Sequence, residues 1–83
     1  MKKDLRVLVI DDEEELVFTL VERMGLRGIQ AYGALTANDG LRRLAEKNID
    51  VVILDVKMPG IDGLELLKKI KKAHPAVQVI LLT

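Results

Sequence analysis

The sequence contains no cysteine and no tryptophan, and its 83 residues include one phenylalanine, one tyrosine and two prolines. Without cysteine the chain forms no disulfide, thiolate zinc site or cysteine nucleophile, which suits a reducing compartment. Charge of one sign is also lacking, since 13 basic and 13 acidic side chains cancel. No apolar run approaches the ~20 residues of a membrane span, and no signal-peptide cleavage site follows an apolar stretch. We therefore expect a cytoplasmic domain that contacts neither nucleic acid nor a membrane directly.

The apolar content that is present is sufficient for one folded domain. Hydrophobic residues make up 49% of the chain and charged residues 31%, a balance that argues against intrinsic disorder. A chain of this length allows at most one domain. It buries only roughly 60–65% of its unfolded surface, so we expect a thin core.

Apolar segments of two kinds alternate along the chain. Strands are predicted for residues 5–10, 29–32, 51–54 and 77–82; all but the second are apolar at nearly every position, which is typical of strands buried in a parallel sheet. Segments with apolar residues at helical spacing lie between them, beginning near Glu14, Thr36 and Asp62. Strand and helix thus alternate three times before a last strand. This order predicts an open parallel α/β sheet with helices on both faces.

Polar residues mark the beginnings of the second and third helices. Thr36 with Asp39, and Asp62 with Glu65, have the spacing of residues that cap a helix N-terminus. The predicted inner faces comprise the apolar positions at helical spacing: Leu16, Val17, Leu20, Val21 and Met24 in the first helix, Leu41, Leu44 and Ala45 in the second, and Leu64, Leu66, Leu67 and Ile70 in the third.

Polar residues also follow three of the predicted strands. Asp11 and Asp12 follow the first strand, Asp55 the third and Thr83 the fourth. The carboxyl ends of parallel strands meet at one edge of the sheet, where sites form in open α/β folds. Clustered carboxylates with no cysteine nearby favour Mg²⁺, and a metal beside a single carboxylate nucleophile suits phosphoryl transfer. Taken one at a time, these acids could also be a solvated helix start or a turn residue.

Three segments together resemble the receiver domain of bacterial response regulators: residues 9–13 (VIDDE), 55–63 (DVKMPGIDG) and 79–83 (VILLT). The resemblance implies a flavodoxin-like sheet of strand order 2-1-3-4. It also implies that residues 1–83 are the N-terminal portion of a single receiver domain, because the family continues through two further helices and a fifth strand. The lysine that the family places after that fifth strand has no counterpart in this sequence.

The resemblance also implies a role for each residue of the acidic edge. Asp55 would accept a phosphoryl group from a sensor histidine kinase or a phosphotransfer protein. Asp12 would bind Mg²⁺ directly, with Asp11 nearby and the backbone carbonyl of Lys57 as a further ligand. Thr83 would hydrogen-bond the phosphoryl group and shift when Asp55 is modified. The chain would then be a signalling switch of a two-component system and not an enzyme.

A strand order of 2-1-3-4 would leave the last strand as a free edge and one sheet face covered by the first helix alone. We therefore expect the apolar residues of that strand to be exposed and the chain to form a dimer or swapped assembly through them: Val77, Val79, Ile80, Leu81 and Leu82. The alternative is a structural fragment of the receiver fold, natural or engineered, that self-associates and does not signal. A phosphatase with an aspartate nucleophile ranks last, because it needs a second acid where Lys57 stands.

Overall fold

A computed structural model describes residues 4–82 of the chain. Strands and helices alternate in the predicted order: β1 (Arg6–Ile10), α1 (Glu14–Leu26), β2 (Gln30–Ala34), α2 (Ala37–Glu46), β3 (Val51–Asp55), α3 (Gly63–Ala73) and β4 (Gln78–Leu82). None of the helices described between residues 4 and 82 combines the length and the apolar character of a membrane span.

The four strands form one parallel sheet in the order β2-β1-β3-β4, which confirms the predicted flavodoxin-like topology. At one end of the sheet Asp50 fixes the register of three strands. The Arg6 N–H donates to the Asp50 carboxylate at 2.9 Å, and the Asp50 N–H donates to the Arg6 carbonyl at 2.9 Å. The Gln78 N–H in turn donates to the Asp50 carbonyl at 3.0 Å. The opposite end of the sheet is where the strands' carboxyl ends meet.

The main core lies between one face of the sheet and the helices α2 and α3. Alternate residues of the two central strands point into it and are fully buried, as expected for the pleat of a β-strand. The buried members are Leu8, Ile10, Ala34, Leu44, Ile49, Val52, Leu54, Met58, Leu66, Ile70 and Val77. Burying these side chains is the main source of stability for a sheet of only four short strands.

Helix α1 covers the other face of the sheet, mainly over β1 and β2. Gly33 of β2 lets the helix approach closely, because a Cβ atom at this position would collide with the side chain of Val17. Beyond α1 the sheet face is less covered: Ile53 is half-buried and Ile80 is 52% exposed. The expectation that this face is covered by the first helix alone is therefore confirmed for the described part of the chain.

The outer strand β4 is less exposed than the sequence suggested. Val77 is buried and Val79 packs against the core, because both point towards α3 and not towards solvent. Exposure is concentrated at Ile80 and Leu81, whose side chains are 52% and 38% exposed. Within residues 4–82, no further strand pairs with the outer edge of β4.

All three predicted helix faces need correction. In α2, Leu44 is buried and Leu41 is half-buried, but Ala45 is exposed because it is turned about 100° away from Leu44. In α3, Leu66 and Ile70 are buried but Leu64 is 56% exposed, because the helix packs through Gly63 and Leu64 is turned about 100° away from it. In α1 only Val17 is buried, while Leu16, Leu20, Val21 and Met24 are half-buried because a single helix on a sheet edge leaves the flanks of its apolar stripe in contact with water.

Both predicted N-caps are confirmed: Thr36 accepts from the Asp39 N–H at 3.1 Å and Asp62 from the Leu64 N–H at 2.9 Å.

Candidate functional site

Three carboxylates converge at the carboxyl ends of the two central strands. Ile10 of β1 is paired with Leu54 of β3, so the residues that follow them, Asp11 and Asp55, lie side by side. Asp12 comes next in the chain. One oxygen of each carboxylate lies within 4.8 Å of an oxygen of both others. The sheet register alone therefore assembles the acidic group that the sequence predicted at this edge.

The three carboxylates differ in their exposure to solvent. Asp11 is 5% exposed, Asp55 is half-buried and Asp12 is exposed. Burial is the main cause that raises the pKa of the Asp11 carboxyl, and the nearby charges of Asp55 and Asp12 raise it further. A hydrogen bond of 2.9 Å from the Glu13 N–H to Asp11 Oδ1 opposes these effects. Asp11 is thus a carboxylate whose negative charge would be favoured by a nearby cation.

Asp55 is held by the loop that follows it. The Lys57 N–H donates to Asp55 Oδ1 at 2.9 Å, and the Val56 N–H donates to the carbonyl of Leu82 at 3.3 Å. Within residues 4–82 the second oxygen, Oδ2, accepts no hydrogen bond. One oxygen of Asp55 is therefore fixed by the protein, and the other remains available to a ligand or a reaction partner.

The loop between β3 and α3 is shaped by two residues of its own. Met58 is buried in the core, and Gly60 adopts a positive φ of 76°, a conformation that favours glycine. The Asp62 cap then begins α3. The loop is thereby anchored at both ends, which keeps the backbone of Lys57 beside Asp55.

The acidic group lies in an open cleft with a mixed lining. The cleft is lined by Asp11, Asp12, Glu13, Leu16, Leu20, Asp55, Lys57 and Leu82. Sequence reasoning did not assign Glu13, Leu16 or Leu20 to the site. The signal for them was the start of α1 two residues after Asp12, which places the first turns of that helix beside the cleft. Thr83, which was also predicted at the site, lies outside the described residues; Leu82 before it pairs with Asp55.

This donor set fits a hard divalent cation. Carboxylate and carbonyl oxygens are the ligands that Mg²⁺ prefers, and the ion commonly combines one or two carboxylates with water and phosphate oxygens. Asp11, Asp12, Asp55 and the carbonyl of Lys57 could supply such ligands, and a cation would offset the mutual repulsion of the carboxylates. The residues present therefore fit Mg²⁺.

Comparison with known proteins gives one consistent result. The family model described as "Response regulator receiver domain" matches residues 7–83. Among curated proteins, the response regulator GacA of Pseudomonas viridiflava is 43% identical over 82 residues, which are 95% of this chain and 38% of GacA. The chain thus spans less than two fifths of the length of that relative.

Solved structures agree with the family match. A CheY-like response regulator receiver domain protein from Methanospirillum hungatei superposes with a TM-score of 0.89 at 27% identity, over 94% of this chain and 62% of that one. The response regulator TrrA of Thermotoga maritima, solved in complex with Mg²⁺-BeF, is 38% identical with a TM-score of 0.85, over 95% of this chain and 69% of that one. TrrA has also been solved in complex with the histidine kinase ThkA, again at 38% identity and a TM-score of 0.85, over 95% of this chain and 68% of that one.

Proposed function

Because the chain belongs to the response regulator receiver domain family, we propose that it acts as the phosphoacceptor switch of a two-component signalling system, with Asp55 as the acceptor. The observation that carries this proposal is the convergence of Asp11 and Asp12 on Asp55, whose second oxygen accepts no hydrogen bond in the described chain. Receiver domains are signalling domains, so we expect at most slow self-catalysed phosphoryl transfer and not an enzyme with turnover.

The same proposal assigns a role to each neighbour of Asp55. Asp12, which is exposed, would bind Mg²⁺ directly, and buried Asp11 would be a nearby carboxylate that holds the ion through water. The carbonyl of Lys57 is a further ligand, supported by the position of the Lys57 backbone beside Asp55. Thr83 hydrogen-bonds the phosphoryl group; its support is the pairing of Leu82 with Asp55.

In the proposed step, Asp55 Oδ2 attacks the phosphorus atom of a phosphohistidine on the donor. The new O–P bond forms as the P–N bond breaks, and the imidazole nitrogen keeps the electron pair of the broken bond. The imidazole leaves as a neutral group when its other nitrogen is already protonated, so no proton has to move. A bound Mg²⁺ would offset the negative charge on the transferred group.

We propose a sensor histidine kinase or a phosphotransfer protein as the donor. The support is the complex of the relative TrrA with the histidine kinase ThkA. The proposal includes a cytoplasmic location. Its support is the absence of cysteine, which is in keeping with a reducing compartment. It also includes the assignment of residues 1–83 to the N-terminal portion of a single receiver domain, since the chain covers 62% of the Methanospirillum hungatei protein and 69% of TrrA.

The proposal is tested by intact mass after incubation with Mg²⁺ and a small phosphodonor such as acetyl phosphate. We expect the parent to gain one phosphoryl group, and neither the Asp55→Asn variant nor the parent with a chelator to do so. Peptide mapping then locates the modified residue. No gain in the parent, or an equal gain in Asp55→Asn, contradicts the proposal; the first outcome favours the alternative of a structural fragment that does not signal.

We further propose that the free edge of β4 pairs with a second copy of the chain. Its residues Gln78–Leu82 include no charge and no proline, the features by which edge strands usually avoid such pairing. Light scattering should show a dimer for the parent and a monomer for Ile80→Lys. Leu64→Lys is the matched control, because it places the same charge at an exposed leucine on α3 and should leave the dimer intact. A monomeric parent with a cooperative melt would contradict this proposal.

A further inference from the structure

A groove lies at the outer edge of β2, on a different flank of α1 from the acidic cleft. Leu16 lines the cleft, whereas Phe18 and Val21 form one wall of the groove. Gly33 of β2 lies between this wall and Arg43 of α2, which lines the far side. We propose that this β2 groove, formed by Phe18, Val21, Gly33 and Arg43, binds an extended segment of another protein, which adds to β2 as a further strand.

The backbone of β2 has hydrogen-bonding groups to offer such a segment. The Gln30 N–H donates to the Leu5 carbonyl at 3.0 Å, and alternate residues of a parallel strand bond to the same neighbour. The N–H and C=O groups of Ala31 and Gly33 therefore point away from β1, to an edge that no strand of residues 4–82 occupies. The strand also lacks the charge and proline by which edge strands usually avoid pairing. An added strand would provide partners for these backbone groups.

The α1 wall of the groove is apolar and carries the one phenylalanine of the chain. Phe18 is 67% exposed, and Val21 beside it is half-buried. The groove encloses about 230 Å³. This volume is below the roughly 300–1,000 Å³ of small-molecule pockets, and it suits one or two side chains of a protein segment. Because successive side chains of an extended segment point to opposite faces, every second one would pack against Phe18 and Val21.

Arg43 adds a charge requirement to this apolar wall. In the described part of the chain its guanidinium group forms no ion pair or hydrogen bond, whereas the neighbouring Arg42 bonds to Asp39 at 2.8 Å. Since α2 lies on the opposite face of the sheet from α1, Arg43 would meet the side chains that alternate with those at Phe18. Glu14 on the α1 wall would repel a second carboxylate and so restricts the acid to the Arg43 side. The fitting segment alternates apolar residues with polar ones that include an acid.

The charge requirement also distinguishes another protein from a second copy of this chain. The two outer strands of the described sheet are β2 (QAYGA) and β4 (QVILL), and neither contains an acidic residue. A second copy therefore cannot present a carboxylate to Arg43 from an outer strand. The occupant is a segment of a different protein, and it leaves the acidic cleft open because the cleft lies on another flank of α1.

The test titrates a defined peptide into the full chain and follows the backbone amide NMR shifts. The probe is a short capped peptide in which leucine alternates with threonine and one threonine is replaced by glutamate. The amides of Ala31 and Gly33 should shift most and should exchange more slowly with solvent. Methylating one of the two alternate sets of peptide N–H groups should abolish binding, because only one set faces β2.

Two pairs of variants test the two sides of the groove. Phe18→Ser should weaken peptide binding about tenfold, as for an aromatic anchor, whereas Leu26→Ser, at an α1 residue that is 83% exposed and does not line the groove, should leave it unchanged. Arg43→Gln should weaken binding roughly two- to fivefold, and Arg42→Gln should not. Arg43→Glu should reject the probe and bind a peptide with lysine in place of the glutamate.

Several results would overturn the proposal. No shift at Ala31 and Gly33, or binding that Phe18→Ser and Arg43→Gln both leave unchanged, excludes the β2 groove as a docking site for such a segment. Protection of the same amides by self-association of the parent, without peptide, would assign the groove to a second copy. Because Phe18 is mostly exposed, Phe18→Ser should melt as the parent does; if it unfolds, the charge exchange at Arg43 decides alone. None of these outcomes depends on phosphorylation of Asp55.

Discussion

Replacing Gly63 by alanine should destabilise the fold at the point where α3 begins. A Cβ atom on Gly63 would lie 2.5 Å from Cα, 2.8 Å from the carbonyl oxygen and 2.9 Å from Cβ of Val56, and Cβ contacts under 3.0 Å are essentially never seen. Most of these atoms belong to the backbone just after β3, so no change of side-chain rotamer relieves the collision. Either the loop or the start of α3 has to move.

The expected cost follows from two opposing effects. Overpacking of this kind costs about 1–3 kcal/mol, and rigid backbone neighbours place Gly63→Ala in the upper part of that range. Removing a glycine from a helix returns at most about 1 kcal/mol. The net loss of about 1–2 kcal/mol should lower the melting temperature by roughly 5–15 °C in a domain of this size.

Thermal and urea unfolding followed by circular dichroism measure this loss, with Gly25→Ala as the control. Gly25 lies in α1 and a Cβ atom there would meet nothing within 4 Å, so alanine should raise the free energy of unfolding by about 0.5–1 kcal/mol. The two glycine-to-alanine changes should thus have opposite signs. A Gly63→Ala variant as stable as the parent would refute the reasoning from the close contact with Val56.

Three further predictions concern the acidic site and the helix caps. The pKa of Asp11 is raised in the folded protein, so folding favours its protonated form. The contribution of this carboxyl to the free energy of unfolding is therefore greatest below the ordinary aspartate pKa, and it is lost as the pH rises through the raised pKa. Asp11→Asn should therefore be more stable than the parent at neutral pH in urea unfolding without metal. A difference in the free energy of unfolding that widens in acid would contradict this. Mg²⁺ should raise the melting temperature of the parent with increasing concentration, and an equal rise in Asp12→Asn would count against Asp12 as a ligand. Thr36→Ala should cost about 1 kcal/mol through loss of the α2 cap, measured by the same unfolding curves, whereas Thr36→Ser should not; equal losses would exclude the cap as the cause.

Much of the fold could be predicted from the sequence because its signals are local. The apolar runs at β1 and β3 and the caps at Thr36 and Asp62 depend on neighbouring residues alone, and all appear in the structure. The exposure of Leu64 could not be predicted in this way. It depends on Gly63 packing against Val56, a contact between elements that leaves no trace in the periodicity of α3.

The site was predictable to a similar degree. The topology of an open parallel sheet places Asp11 and Asp55 at one edge, and the register shows them side by side. The burial of Asp11 beside an exposed Asp12 was not predictable, since adjacent residues at a strand end differ only in the direction of their side chains. The place of Lys57 in the cleft likewise depends on the path of the loop, which the hydrogen bond to Asp55 fixes.

The pairing of β1 directly with β3 has a consequence for how the protein can open. Asp11 and Asp55 depend on these two inner strands, whereas β2 and β4 form the outer edges of the sheet. Fluctuations that detach an outer strand cost less than unfolding the centre, so backbone amides of β2 and β4 should exchange with solvent before those of β1 and β3. The outer strands can therefore detach and pair with other strands while the acidic site on β1 and β3 stays folded.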